Sequence, residues 1–67
     1  MKFFDLKIHC DNAAFEDWQS EVSRILRDLA DRLDRDAGRD DAPGGYLLDI
    51  NGNRVGDWGF DPNYQPE

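Results

Sequence analysis

The sequence predicts an α+β domain in the order β-α-β-β, with one amphipathic helix packed on a three-stranded sheet that ends in an antiparallel hairpin. Three features carry that prediction. The N-terminal segment KFFDLKIHC alternates in polarity, the stretch from Asp11 to Gly38 repeats apolar residues every three or four positions, and Asn51-Gly52 separates two short apolar segments. These are the periods of a strand and of a helix, followed by the strongest short signal for a hairpin. A chain of 67 residues has room for one domain, expected over residues 1–60 with a flexible tail at 61–67. Such a chain buries only about 60% of the surface its unfolded form exposes, so its core needs every large apolar side chain it can recruit.

In the first strand Phe4, Leu6, Ile8 and Cys10 share one face, and Phe3, Asp5, Lys7 and His9 share the other. The helix is expected over residues 13–36, where Phe15, Trp18, Val22, Ile25, Leu26, Leu29 and Leu33 form an apolar stripe. Asp11 or Asn12 can cap its start by accepting orphan backbone N–H bonds, and Glu16 and Asp17 suit the positive end of the helix dipole. Gly38 suits a left-handed C-cap, with Arg35 and Arg39 near the negative end. Arg39 to Gly45 then reads as a loop, because Pro43 and two glycines cannot continue a helix.

YLLDI and RVGDWGF read as the two strands of the hairpin. With Asn51 and Gly52 at a two-residue tip of type I′, Ile50 faces Asn53, Asp49 faces Arg54 and Leu48 faces Val55. The expected core is Phe4, Leu6, Ile8, Phe15, Trp18, Val22, Ile25, Leu26, Leu29, Leu33, Leu48, Ile50 and Val55. In that register Trp58 and Phe60 point away from Val55. Either a bulge at Gly56 or Gly59 returns them to the core, or they form an outer aromatic patch with Phe3 and Leu47. The first strand can lie beside either strand of the hairpin.

DINGNRV also places oxygen-bearing side chains at alternate positions, as a calcium loop does. Counted from Asp49, however, the sixth residue is Arg54 where an EF-hand needs glycine, and the twelfth is Phe60 where it needs a bidentate glutamate. The stretch is a turn, and no metal or cofactor is expected. Catalysis is not expected either. His9 and Cys10 are the only histidine and cysteine, and as strand neighbours they point to opposite faces. Cys10 is expected to be a small buried hydrophobe and His9 an exposed residue. A single cysteine forms no intramolecular disulfide, which fits a reducing cytoplasm. No apolar run approaches the roughly 20 residues of a membrane helix.

Fifteen acidic against eight basic residues give a formal net charge of −7. Such a chain repels nucleic acid and attracts a basic partner, although acidity also serves solubility. On the helix, Arg24, Asp28, Arg32 and Asp36 alternate in sign at four-residue steps, as do Arg27, Asp31 and Arg35, so these charges can pair among themselves. The excess lies elsewhere. Asp11, Glu16, Asp17 and Glu21 surround the helix start, Asp40 and Asp41 sit in the loop, and Asp49 and Asp57 line the hairpin. DNA carries one phosphate charge per about 1.7 Å of axis, and carboxylates at similar spacing can occupy a Lys/Arg groove made for phosphates. These eight acids are the expected partner-binding surface, and Phe3, Leu47, Trp58 and Phe60 are the alternative one.

The segments MKFFDLKIHCDNAAF, ILRDLADRL and LLDINGNRVGDW, which together run to about Phe60, resemble small proteins carried by phages and bacterial mobile elements. They look like the acidic anti-CRISPR inhibitors of type I-C systems. The resemblance implies a stoichiometric inhibitor without enzyme activity or cofactor, acting in the bacterial cytoplasm on a CRISPR effector complex and blocking its access to target DNA by imitating DNA charge. It supplies no motif-defined site residues, so the acids above rest on charge alone. A monomer is expected, with no direct nucleic-acid or membrane partner. The alternative is a mobile-element accessory protein that binds another protein through its aromatic hairpin face.

Overall fold

The computed structural model describes residues 1–36 and 44–67. Strand β1 (Phe3–Ile8) leads through a short 3-10 turn (Ala13–Phe15) into helix α1 (Trp18–Arg35), and β2 (Gly44–Leu48) and β3 (Arg54–Asp61) complete the chain. The sheet order is β1-β3-β2, with both outer strands antiparallel to β3. This is the expected small α+β domain, with one α-helix and three strands among the described residues. The open question of the first strand is resolved by β3, which lies between two strands that run parallel to each other.

The helix starts later than its periodicity predicted. Asn12 does act as a cap, its side-chain oxygen accepting from the Ala14 N–H at 2.9 Å, but it caps the 3-10 turn. α1 proper begins at Trp18, so Glu16 and Asp17 precede it, and Glu21 is the acid of its first turn. Gly38, Arg39, Asp40, Asp41 and Pro43 lie outside the described residues.

The hairpin turn is wider by one residue than predicted. Asp49 donates its N–H to the Asn53 carbonyl at 2.9 Å, and Gly52 donates to the Asp49 carbonyl at 3.0 Å. Of the turn residues only Gly52 takes a positive φ, at 83°, so the two-residue type I′ tip is replaced by three residues, Ile50 to Gly52, closed by a left-handed glycine. The wider turn puts Leu48 opposite Arg54, and Val55 is then an extra residue in β3 that restores the expected pairing of Leu47 with Gly56. This irregularity lets Val55 and Trp58 reach the same side of the sheet despite their opposite parity.

That shift exchanges the two leucines. Leu47 is the most deeply buried side chain at 2% exposure, whereas Leu48 and Ile50 are exposed. The core is Phe15, Ile25, Leu29, Leu47 and Val55, flanked by Leu6, Ile8, Ala14, Val22 and Trp58. Phe4, Trp18, Leu26 and Leu33, also expected inside, are substantially exposed. One helix is too narrow to cover a three-stranded sheet and its own wide apolar stripe together. Cys10 is exposed beyond the end of β1 rather than buried.

Two glycines make close packing possible. A Cβ on Gly56 would collide with the Lys7 carbonyl oxygen, so β1 and β3 can approach only with glycine there. A Cβ on Gly45 would lie 3.1 Å from the Trp58 indole nitrogen, so the bare backbone makes room for the ring. The tail is also anchored, because Tyr64 stacks on Phe3 with ring centroids 4.3 Å apart.

Candidate partner-binding surface

The eight predicted acids divide into three groups. Glu21 and Asp49 are buried, at 7% and 4% exposure, and both are saturated with hydrogen bonds. Glu21 accepts from Arg24 Nε at 2.9 Å and from the Ile50 backbone N–H at 2.8 Å. Asp49 accepts from the backbone N–H groups of Asn51 and Asn53, both at 2.9 Å, and from the side-chain amides of Asn12 and Asn53 at 2.8 and 3.0 Å. These carboxylates hold the hairpin tip against the helix start and face inward, so they cannot contribute to a surface. Asp40 and Asp41 lie outside the described residues.

The remaining four, Asp11, Glu16, Asp17 and Asp57, are exposed. Asp57 lies in the middle strand on the sheet face away from α1, opposite Lys7 and Tyr46. Asp11, Glu16 and Asp17 belong together, because the Asn12–Asp49 and Ile50–Glu21 bonds gather the β1–α1 connection and the hairpin tip at one end of the molecule. None of the three forms an ion pair among the described residues. Arg24, the first base after the trio in sequence, is already engaged by Glu21 and by Asp28, the latter at 2.8 Å. Trp18 and Ile50, exposed by 56% and 65%, share this end.

The pKa shifts follow from the same bonds. The Arg24 hydrogen bond holds Glu21 below its ordinary 4.5, with the Ile50 N–H reinforcing it against the cost of burial. Burial pushes Asp49 up, but the donors from Asn53, Asn12 and Asn51 outweigh it and leave the group below its ordinary 3.8. The sequence contained a sign of this role, since Asp at the first position of a turn commonly accepts from backbone N–H groups further along.

The alternative aromatic surface does not assemble as one face. Leu47 is core, and Trp58 is half-buried against it. Phe60 lies opposite Phe4 on the helix side of the sheet, whereas Phe3, one residue earlier in β1, points to the other side under Tyr64.

Of the predicted helix charge ladders, Arg24–Asp28 forms. Arg24 and Arg32 also turn toward β2, donating to the Leu48 and Tyr46 carbonyls at 3.2 and 3.4 Å. Among the described residues no group of three or more His, Cys, Asp or Glu is placed to hold a metal ion, and no helix is long and apolar enough to cross a membrane. Comparison with protein families, characterised proteins and solved structures finds no match to this chain.

Proposed function

We propose that the protein is a non-enzymatic inhibitor that sets exposed carboxylates into a basic groove built for nucleic acid, and that the groove belongs to a type I CRISPR effector. The effector is nominated by the resemblance of the three sequence segments. The observation that carries the mode of binding is the unneutralised trio Asp11, Glu16 and Asp17, fixed at one end of the molecule by the buried Glu21 and Asp49. A carboxylate with no base beside it retains its full field and steers a basic partner toward it. Trp18 and Ile50 beside the trio add apolar contact area of the kind that anchors protein interfaces.

The test is a gel shift of target DNA on purified type I-C effector, with and without this protein, at low and high salt. Dose-dependent loss of the shift, weaker as salt screens the charges, is the expected result. Reversing Asp11, Glu16 and Asp17 together to lysine removes the effect while circular dichroism stays that of the wild type. An unchanged DNA shift in the presence of the wild-type protein overturns competition for the groove, and full inhibition by the triple variant overturns the trio as its contact.

A further inference from the structure

The two edges of the sheet are treated differently. The β2 edge is covered by α1, whose Arg24 and Arg32 donate to the Leu48 and Tyr46 carbonyls. The β1 edge has no helix over it among the described residues, and of its outward carbonyls that of Ile8 receives the Cys10 thiol at 3.7 Å. The His9 N–H donates to the Val55 carbonyl at 2.7 Å, so the odd-numbered residues of β1 direct their backbone groups toward β3. Phe4, Leu6 and Ile8 therefore direct theirs outward. An open edge of this kind is a template for another strand.

We propose that this edge pairs with β1 of a second copy of the chain, antiparallel about a two-fold axis with Leu6 opposite Leu6. The inference stands on the sheet and does not depend on the functional reading above. The choice of register rests on charge. With Leu6 on the axis, Phe4 lies opposite the second copy's Ile8 on the helix side, and Asp5 lies opposite its Lys7 on the other side, twice by symmetry. Sliding to the neighbouring register in either direction puts Asp5 against Asp5 or Lys7 against Lys7. Only the Leu6-centred arrangement joins opposite charges across the seam, and Asp5 and Lys7 are both exposed, with no ion pair to either among the described residues.

The apolar surface left uncovered by the fold lies on the matching flank. Arg24, Asp28, Asp31 and Arg35 line the groove between α1 and β2. Helical geometry then places Leu26 and Leu33 on the opposite flank, toward β1. Both are exposed, as are Phe4 and Phe60 on the helix side of β1 and β3. A two-fold axis perpendicular to the sheet keeps both helices on one side, so these flanks face each other across the seam. Pairing thus continues the sheet and covers its bare apolar margin, in place of the single copy expected from the sequence.

Sedimentation equilibrium at low salt, over a range of concentrations, tests this directly. The wild type is expected at twice the chain mass of 7.7 kDa, and Asp5→Lys and Lys7→Asp each at the single mass. Mixing the two single variants restores a dimer, because lysines 5 and 7 of one chain then face aspartates 7 and 5 of the other. The double swap Asp5→Lys/Lys7→Asp restores it as well. Amide exchange adds a local readout, with the outward Leu6 N–H protected in the dimer and fast in the single variants. Folding of each variant is checked by circular dichroism. A wild type that stays monomeric at NMR concentrations, a dimer indifferent to Asp5→Lys, or single variants that fold but do not pair when mixed would each overturn the proposal.

Discussion

Asp49 and Asp57 look alike in the sequence, two aspartates on a hairpin, yet they do opposite work. Asp49 accepts four hydrogen bonds that close the turn and tie it to Asn12, whereas Asp57 stands exposed on the open face of the sheet. The same distinction separates Glu21 from Glu16. Because Glu21 and Asp49 are held below their ordinary values of 4.5 and 3.8, each adds stability in full above that value and loses it as pH falls toward its folded pKa. Acid titration followed by circular dichroism is expected to show wild-type stability declining below about pH 4.5. Asp49→Asn is expected to be less stable at neutral pH and flatter in that acid range, since it has no ionised form to lose. Asp57→Asn should leave both features within error of the wild type.

Elements meet here through glycine. Gly56 and Gly52 read alike in sequence, as turn or bulge residues, and the structure gives them different reasons. Gly52 needs its positive φ of 83° but has open space around it, so Gly52→Ala should cost about 1–2 kcal/mol, the usual strain of a left-handed residue with a side chain. Gly56 needs space, because a Cβ there would lie 2.9 Å from the Lys7 carbonyl carbon and collide with its oxygen. Neighbouring backbone cannot rotate away as a side chain can, so Gly56→Ala must part β1 from β3. Urea melts are expected to rank Gly56→Ala well below Gly52→Ala, with exchange of the β1–β3 amides accelerated in the former alone.

For the whole molecule, the core is small and off-centre. Among the described residues five buried apolar side chains hold the domain, and α1 leans toward β2, leaving Leu26, Leu33, Phe4 and Phe60 at an uncovered margin. Deletion of a core side chain is therefore expected to be severe. Leu47→Ala should cost about 2–5 kcal/mol, enough to unfold much of a marginal small domain. Ile50→Ser, at a position the alternating pattern had assigned to the core, should stay within about 0.5 kcal/mol. Thermal melts of the two variants check both, and equal losses would contradict the one-residue shift of the hairpin.

The sequence by itself determined the element types and their order, because periods of two and of three to four leave little choice of strand or helix when they run this clearly. It also located the hairpin at Asn51-Gly52 and named Phe15, Ile25, Leu29 and Val55 for the core. What it could not determine was parity. A strand presents alternate residues to opposite faces, so the extra residue at Val55 breaks the alternation and puts Leu47 rather than Leu48 on the Val55 side. The candidate site was legible to the same degree. Charge alone named Asp11, Glu16 and Asp17 as candidates, but it could not separate them from Glu21 and Asp49, which lie inside. That separation depends on which carboxylates the folded chain surrounds with N–H donors, and those donors come from residues as far apart as Asn12 and Asn53. Tertiary structure decided it because burying a carboxylate is tolerable only where such donors converge.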